Sequence, residues 1–436
     1  MRRIVLLSFV VFVSVNSQAQ PYDSLTQGFI NELLQKNYKD VVSFFSENLQ
    51  DRIDAEKIQA LHERYIQAYG EPQIRTRVLK TYYDDKNIVY RFLWYGEQLC
   101  KLRFVVNNDK ITSFHMKIEA VTDGWKQPSY AKKTDYKVYP ELIPCNRYGL
   151  TGEFIRPVGK QQNKVVVMIH GSGPSDRDEA ILGNRPFRDL AYGLAAQGIS
   201  SIRFEKNTYL FGQELAAEKE MTIWNETGQD VVSIVDYLKR MKMVGPENLI
   251  LLGHSQGAMM IPRICDSIDV GAAIMIAGNA RPLQDLMYEQ SKYLMQKNGL
   301  DDAEKRRLKM LKEQINNLDK LKDIPLDSVD FALPFGLPAA YWKDLLEYDQ
   351  QETLKHIDIP VFLIQGEGDY QVSMKDFRKF RRALRRSDSD WKATSYENIN
   401  HLLFENEGEP SRHEYERNEN VDPVLIEDIS TWIKDL

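Results

Sequence analysis

Asn248-Leu-Ile-Leu-Leu252-Gly253-His254-Ser255-Gln256-Gly257-Ala258-Met-Met-Ile261 is the stretch that decides the fold. Asn248 to Leu252 reads as a short buried strand and Ala258 to Ile261 begins a helix, so Ser255 falls on a sharp strand-to-helix turn. Gly253 and Gly257 have a physical task there. A tight elbow crowds the backbone around the serine, and side chains at those places would clash. The start of a helix beneath the serine favours developing negative charge. Outward from this turn, Val165 to Ile169, Ala272 to Ala277 and Val361 to Ile364 are further apolar runs short enough for strands buried on both faces. Pro186 to Gln197, Trp224 to Met241 and Ser373 to Leu384 lie between them with amphipathic helical periodicity. This alternation predicts an α/β fold with a mostly parallel sheet flanked by helices.

On these residues the sequence resembles the serine hydrolases of the α/β-hydrolase fold, over residues 138 to 436. In that family the chain order is nucleophile, acid, histidine, with the acid after a late strand and the histidine after the last one. The resemblance implies Ser255 as nucleophile. Val361-Phe-Leu-Ile-Gln-Gly-Glu-Gly-Asp369 presents Asp369 as the acid, with Glu367 as a nearby rival whose surroundings match the family's acid loop less closely. Only His401 and His413 follow. His401 comes just after the strand-like Lys392 to Ile399 and is the expected base, whereas His413 sits in a polar stretch that reads as solvated. A neutral serine is a weak nucleophile, so the histidine has to take its proton and the acid has to orient the imidazole. The backbone amides of Gln256 and Ser172 are the expected oxyanion donors. Ser172 belongs to His170-Gly-Ser-Gly-Pro-Ser-Asp-Arg-Asp178, which is similar to a segment of one carboxylesterase branch.

Two features of that loop invite other readings. Gly171-Ser-Gly173-Pro-Ser-Asp176 partly imitates a nucleotide-binding loop, but its sixth position is Asp and no Gly-Lys-Ser/Thr phosphate loop occurs in the chain. His170 lacks a spaced His or carboxylate partner, so a role in shaping the loop outweighs metal ligation. Neither metal nor organic cofactor is expected. The family's variable cap corresponds to about residues 280 to 350, where Phe331, Phe335, Tyr341 and Trp342 stand among turn residues; a helical hairpin packed on the sheet fits the same periodicity. Arg203-Phe-Glu-Lys-Asn207 only partly resembles an Arg-Tyr-Asp-Lys-Arg run of related enzymes, which leaves substrate size open. The leading expectation is cleavage of small-molecule carboxylic esters through an acyl-enzyme. The same triad serves a serine peptidase, an acyl aminopeptidase or a thioesterase, and a catalytically silent binding protein on a hydrolase scaffold is the alternative of another class.

The rest of the chain is a different kind of sequence. Residues 20 to 118 read as helices followed by a four-strand meander from Ile74 to Ile118, in which Ile88, Tyr90, Phe92 and Trp94 share a strand face and Cys100 fills a core. The pattern resembles the cone-shaped nuclear-transport-factor-like domains, which implies a smaller amino-terminal α+β domain with an accessory, substrate-positioning or dimerising role, and hence a homo-oligomer among its partners. His62 and His115 read as packed or solvated rather than as a site. The polar, turn-rich residues 119 to 137 read as a linker. Ahead of the domain, Arg2 and Arg3, an apolar run from Ile4 to Val15 and the small residues of Ser17-Gln-Ala19 read as a signal peptide over residues 1 to 19. The expected location is therefore periplasmic or secreted, with no stable membrane anchor once the leader is cleaved. Across all 436 residues, 57 Lys and Arg face 63 Asp and Glu, a net charge of -6 that argues against a nucleic-acid partner. Three widely spaced Cys exclude a disulfide framework or a zinc site.

Overall fold

The computed structural model describes residues 21–73, 79–83, 86–96, 98–118, 124–145, 149–215, 218–297, 299, 301–406 and 408–436. The expected leader lies outside the described residues, as do Ile74 to Val78 of the expected meander. The chain divides into two compact units between Ala120 and Val121. No disulfide joins Cys100, Cys145 or Cys265. Among the described residues no helix is long and apolar enough to cross a membrane.

In the first unit, helices Pro21–Leu34, Tyr38–Ser43, Glu47–Gln50 and Ala55–Tyr69 precede an antiparallel sheet. The Asp54 carboxylate caps the last of these helices by accepting from Lys57 N at 2.8 Å. Five strands form the sheet, with Lys86–Tyr95 pairing with Pro72–Gln73, Leu79–Tyr83 and Gln98–Asn107. Phe29, Leu33, Val41 and Phe45 pack on Val89, Leu93, Cys100, Leu102 and Phe104. This core therefore uses the strand face opposite to Ile88, Tyr90, Phe92 and Trp94, which are buried as well. Arg91 is tolerated on the core face because it donates to Thr26 Oγ1 at 3.0 Å and to Gln27 Oε1 at 2.7 Å. Burial pushes the Cys100 thiol well up and pulls His62 down to about 4, so both are neutral fillers at neutral pH.

The second unit has the α/β-hydrolase fold. Its sheet has eight strands, here β1 (Tyr136–Pro144), β2 (Gly149–Pro157), β3 (Val165–Ile169), β4 (Ser200–Phe204), β5 (Leu249–His254), β6 (Ala272–Ile276), β7 (Val361–Gly366) and β8 (Trp391–Tyr396). Their spatial order is β1-β2-β4-β3-β5-β6-β7-β8. β1 is antiparallel to β2 and β2 to β4, while every other pairing is parallel. Strands β3 to β7 are buried at every position; the apolar runs of β3, β5, β6 and β7 predict this, whereas β4 carries Ser200, Ser201 and Arg203 into the interior. On one face Val166, Met168, Ile250, Leu252 and Ile274 pack against helices Pro186–Ala196 and Pro423–Asp435 through Phe187, Leu190, Ile426 and Ile429. The chain leaves β3 for β4 on one side and returns to β5 on the other. A crevice forms at such a reversal, beyond the carboxyl ends of the strands.

Gly124 to Lys137, read from sequence as part of a linker, is built into this unit. Trp125 Nε1 donates to Asp189 Oδ1 at 2.8 Å, and Tyr136 stacks on Tyr192 at 4.1 Å between ring centroids. The segment after β3 is anchored by buried charge. Arg177 pairs with Glu153 at 2.8 Å and Glu205 at 2.7 Å, while Asp178 pairs with Arg203 and, at 2.6 Å, with Arg188. Burial alone would raise the Asp178 carboxyl, but the guanidiniums around it hold it down at about 2. Removing one partner of such a cluster strands the others without solvent. Asp178→Ala is accordingly expected to lower unfolding stability by about 3–5 kcal/mol in chemical denaturation at neutral pH; a loss under about 1 kcal/mol would contradict the anchoring role.

Candidate active site

Ser255 stands at the carboxyl end of β5 with φ 55° and ψ -118°, a strained conformation for a residue with a side chain. Its amide donates to Ile276 O at 2.9 Å, which ties the elbow to β6. The two glycines of the elbow are required by contact. A Cβ on Gly253 would lie 2.5 Å from the Gly257 carbonyl carbon, and one on Gly257 would lie 2.2 Å from Ile169 O.

Three of the expected residues come together here. His401 Nε2 is 3.2 Å from Ser255 Oγ, and His401 Nδ1 is 2.7 Å from Asp369 Oδ2. Asp369 is itself oriented: Oδ1 accepts from Gln371 N at 2.7 Å and Val372 N at 2.9 Å, and Oδ2 from Gln365 Nε2 at 3.1 Å. Glu367 is exposed and accepts instead from Ser395 Oγ at 2.7 Å. His413 is exposed and pairs with Glu416 Oε1 at 2.9 Å. Ser172 and Gln256 both line the cavity that contains Ser255. This cavity has a volume of about 280 Å³, and Leu283, Leu286, Met287, Phe335, Leu337 and Tyr341 from the expected cap region form its apolar wall. Among the described residues no group of three or more His, Cys, Asp and Glu side chains is placed to hold a metal ion.

Charged residues that the sequence alone did not connect to Ser255 form the floor. His254, inside the Gly-x-Ser-x-Gly motif, has Nδ1 2.8 Å from Glu179 Oε2 and Nε2 2.8 Å from the His401 carbonyl oxygen. Both neighbours are acceptors, so both nitrogens are satisfied only in the imidazolium. Burial opposes that charge, but the Glu179 carboxylate outweighs burial and raises the His254 pKa above its ordinary 6.5. Glu179 responds in kind: burial would raise it, and the imidazolium brings it below 4.5. Its other oxygen accepts from Gly171 N at 2.5 Å. Lys206 donates to Gly171 O at 2.9 Å and pairs with Glu226 at 2.6 Å. Glu226 projects from a single π-helical turn, Trp224–Gly228, and also accepts from Tyr341 OH at 2.5 Å and Gln256 Nε2 at 3.2 Å. His170 is buried between Phe187 and Phe204, and burial lowers it to about 4, so it is a neutral filler of the loop's base. The one available signal for the floor was charge placed directly after buried strands, as in Glu205-Lys206 behind β4.

No protein-family model matches the chain. The chain is 29% identical to esterase EstD of Thermotoga maritima over 436 residues, covering 99% of this chain and 100% of the relative. Its likeness to this esterase therefore runs the full length of both chains. Among solved structures, Est1E from Butyrivibrio proteoclasticus aligns with 68% of this chain and 98% of its own at 13% identity and TM-score 0.42. An arylesterase aligns with 72% of this chain and 87% of its own at 10% identity and TM-score 0.46.

The His254–Glu179 pair has a pH signature. A histidine raised on folding stabilises fully below its unfolded pKa, and the contribution is lost as pH climbs through the raised folded value. A depressed glutamate stabilises above its unfolded pKa and loses the contribution as pH falls through the depressed value. The destabilisation caused by Glu179→Gln should thus be greatest between about 4.5 and 6.5 and shrink on either side, most visibly toward high pH. Denaturation of both proteins across pH 4 to 10 checks this, with a maximal loss on the order of 3 kcal/mol; a difference that stays constant to the alkaline end would mean that His254 is neutral throughout.

Proposed function

We propose that this protein hydrolyses small carboxylic esters through a covalent acyl-enzyme on Ser255. The observation that carries the reading is the chain of contacts Asp369, His401, Ser255 at the base of a partly apolar cavity. His401 Nε2 takes the Ser255 proton as Oγ attacks the ester carbonyl, and the bond to the alkoxy group breaks as His401 returns that proton to the departing alcohol. Water then enters along the same path. His401 deprotonates it, the acid is released, and Ser255 recovers its proton. Asp369 holds the imidazole with Nε2 toward serine and stabilises its charged form. The Ser172 and Gln256 amides are the donors for the tetrahedral oxyanion, supported by Gln256 being the first residue of a helix whose opening amides have no partner within the helix.

The full-length likeness to an esterase supports ester over amide as substrate. The same reading takes residues 1 to 19 as a cleaved leader and the mature protein as exported, with the first unit as an accessory domain that positions substrate or pairs two copies. Short-chain p-nitrophenyl esters are the first substrates to assay, beside a p-nitroanilide of the same acyl group. The mature protein is expected to turn over the ester with strong preference, and Ser255→Ala to lose on the order of 10⁴- to 10⁶-fold in kcat while keeping its fold. Undiminished hydrolysis by folded Ser255→Ala would remove the nucleophile assignment, and equal turnover of the anilide would move the activity to a peptidase.

A further inference from the structure

Gly171 is held at both ends by side chains, one from later in the same loop and one from just after β4. Its amide donates to Glu179 Oε1 at 2.5 Å, and its carbonyl accepts from Lys206 Nζ at 2.9 Å. The side of Gly171 where a side chain would stand faces the nucleophile, since a Cβ there would lie 3.1 Å from Ser255 Cβ and 3.6 Å from Oγ. The peptide joining Gly171 to Ser172 is trans and planar, so its carbonyl and its amide point in opposite directions. Whatever fixes the Gly171 carbonyl therefore also fixes the Ser172 N–H. Among the described residues that amide has no acceptor.

We propose that Lys206 is a positioning residue for catalysis: by holding the Gly171 carbonyl it turns the Ser172 amide toward the oxygen that becomes negative when Ser255 attacks. The inference rests on the serine-hydrolase reading given above. Lys206 is suited to the task because it is buried and cannot swing, its ammonium being held by Glu226 Oε1 at 2.6 Å. Glu226 extends the device. Its second oxygen accepts from Tyr341 OH in helix Ala339–Glu347 and from the side chain of Gln256, whose backbone amide is the other donor. One carboxylate thus ties the oxyanion loop, the nucleophile helix and the wall of the cavity together. A purely structural role for Lys206 would be to neutralise Glu226.

The two roles separate in a charge-balanced double variant. Lys206→Met alone leaves the Glu226 carboxylate buried without its cation, whereas Lys206→Met/Glu226→Gln buries no net charge and keeps similar side-chain volumes. The readouts are kcat and KM for a short-chain p-nitrophenyl ester, per site titrated with a fluorophosphonate, and the affinity of a trifluoromethyl ketone, whose adduct with serine carries a negative oxygen. The expected result for the double variant is a KM within about threefold of wild type, with kcat and ketone affinity both down about 10- to 100-fold. Glu226→Gln alone, which retains the Lys206 donor to Gly171, should lose less than either Lys206 variant. A double variant with wild-type kcat and ketone affinity overturns the inference, because charge balance would then be the whole role of Lys206. If the double variant folds poorly, a Glu226→Gln loss as large as that of Lys206→Met overturns it instead. Ser255→Ala assayed alongside separates the two levels: hydrolysis that survives it discards the nucleophile reading, while hydrolysis that depends on it leaves any failure to Lys206 alone.

Discussion

The parallel register of β3 and β5 is the constraint on which the site depends. Gly253 pairs with Ile169, so the two strands end level and their continuations emerge side by side. Ser255 then stands against Gly171, and Gly257 passes so close to the Ile169 carbonyl that only a hydrogen fits in place of a side chain. Shifting either strand by one residue would turn the serine to the other face of the sheet and drive the elbow into β3. The unfavourable backbone angles at Ser255, which cost on the order of 1–3 kcal/mol, are sustained by β6 on one side and the helix Gln256–Cys265 on the other.

Around this contact the protein buries an unusual amount of charge. The Glu179–His254 pair connects the loop after β3 to the loop bearing His401, and the Lys206–Glu226 pair connects the same loop to the helix after Ser255 and the cavity wall. Behind both lies the cluster of Asp178 with its arginines. Hydrophobic residues of equal volume would often stabilise a fold as well as buried ion pairs do. Here the pairs do something apolar packing cannot. Each fixes the direction of a backbone dipole near Ser255, and in the proposed reaction donors set beforehand would need no reorganisation.

The elbow was legible in the sequence because its parts are contiguous: apolar strand, two glycines around a serine, helix. Asp369 was legible because it follows the apolar run of β7, and His401 because it follows the strand-like Lys392 to Ile399 as one of only two histidines beyond Asp369. The buried floor of the site was not. Glu179, Lys206, Glu226 and Tyr341 come from four separate segments, and each alone looks like an ordinary solvated charge or aromatic; only the sheet order brings them within 3 Å of their partners. The stretch from Gly124 to Lys137 misled for a related reason. Its polar residues and turns are those of a linker, and its aromatic anchors, Trp125 and Tyr136, follow no period because they pack as single residues against Asp189 and Tyr192. The expected cap was readable as helices, but its relation to the serine emerged only from the cavity they share.

In the proposed reaction the strained elbow presents Ser255 as the one activated nucleophile. Proteolytic mapping by mass spectrometry of the mature protein after fluorophosphonate treatment tests it most directly. A single stoichiometric phosphonyl adduct is expected on the peptide carrying Gly253 to Gly257, localised to Ser255 and abolished in folded His401→Ala. An adduct on another serine, such as Ser172 beside it, or labelling of Ser255 that persists undiminished without His401, would contradict it.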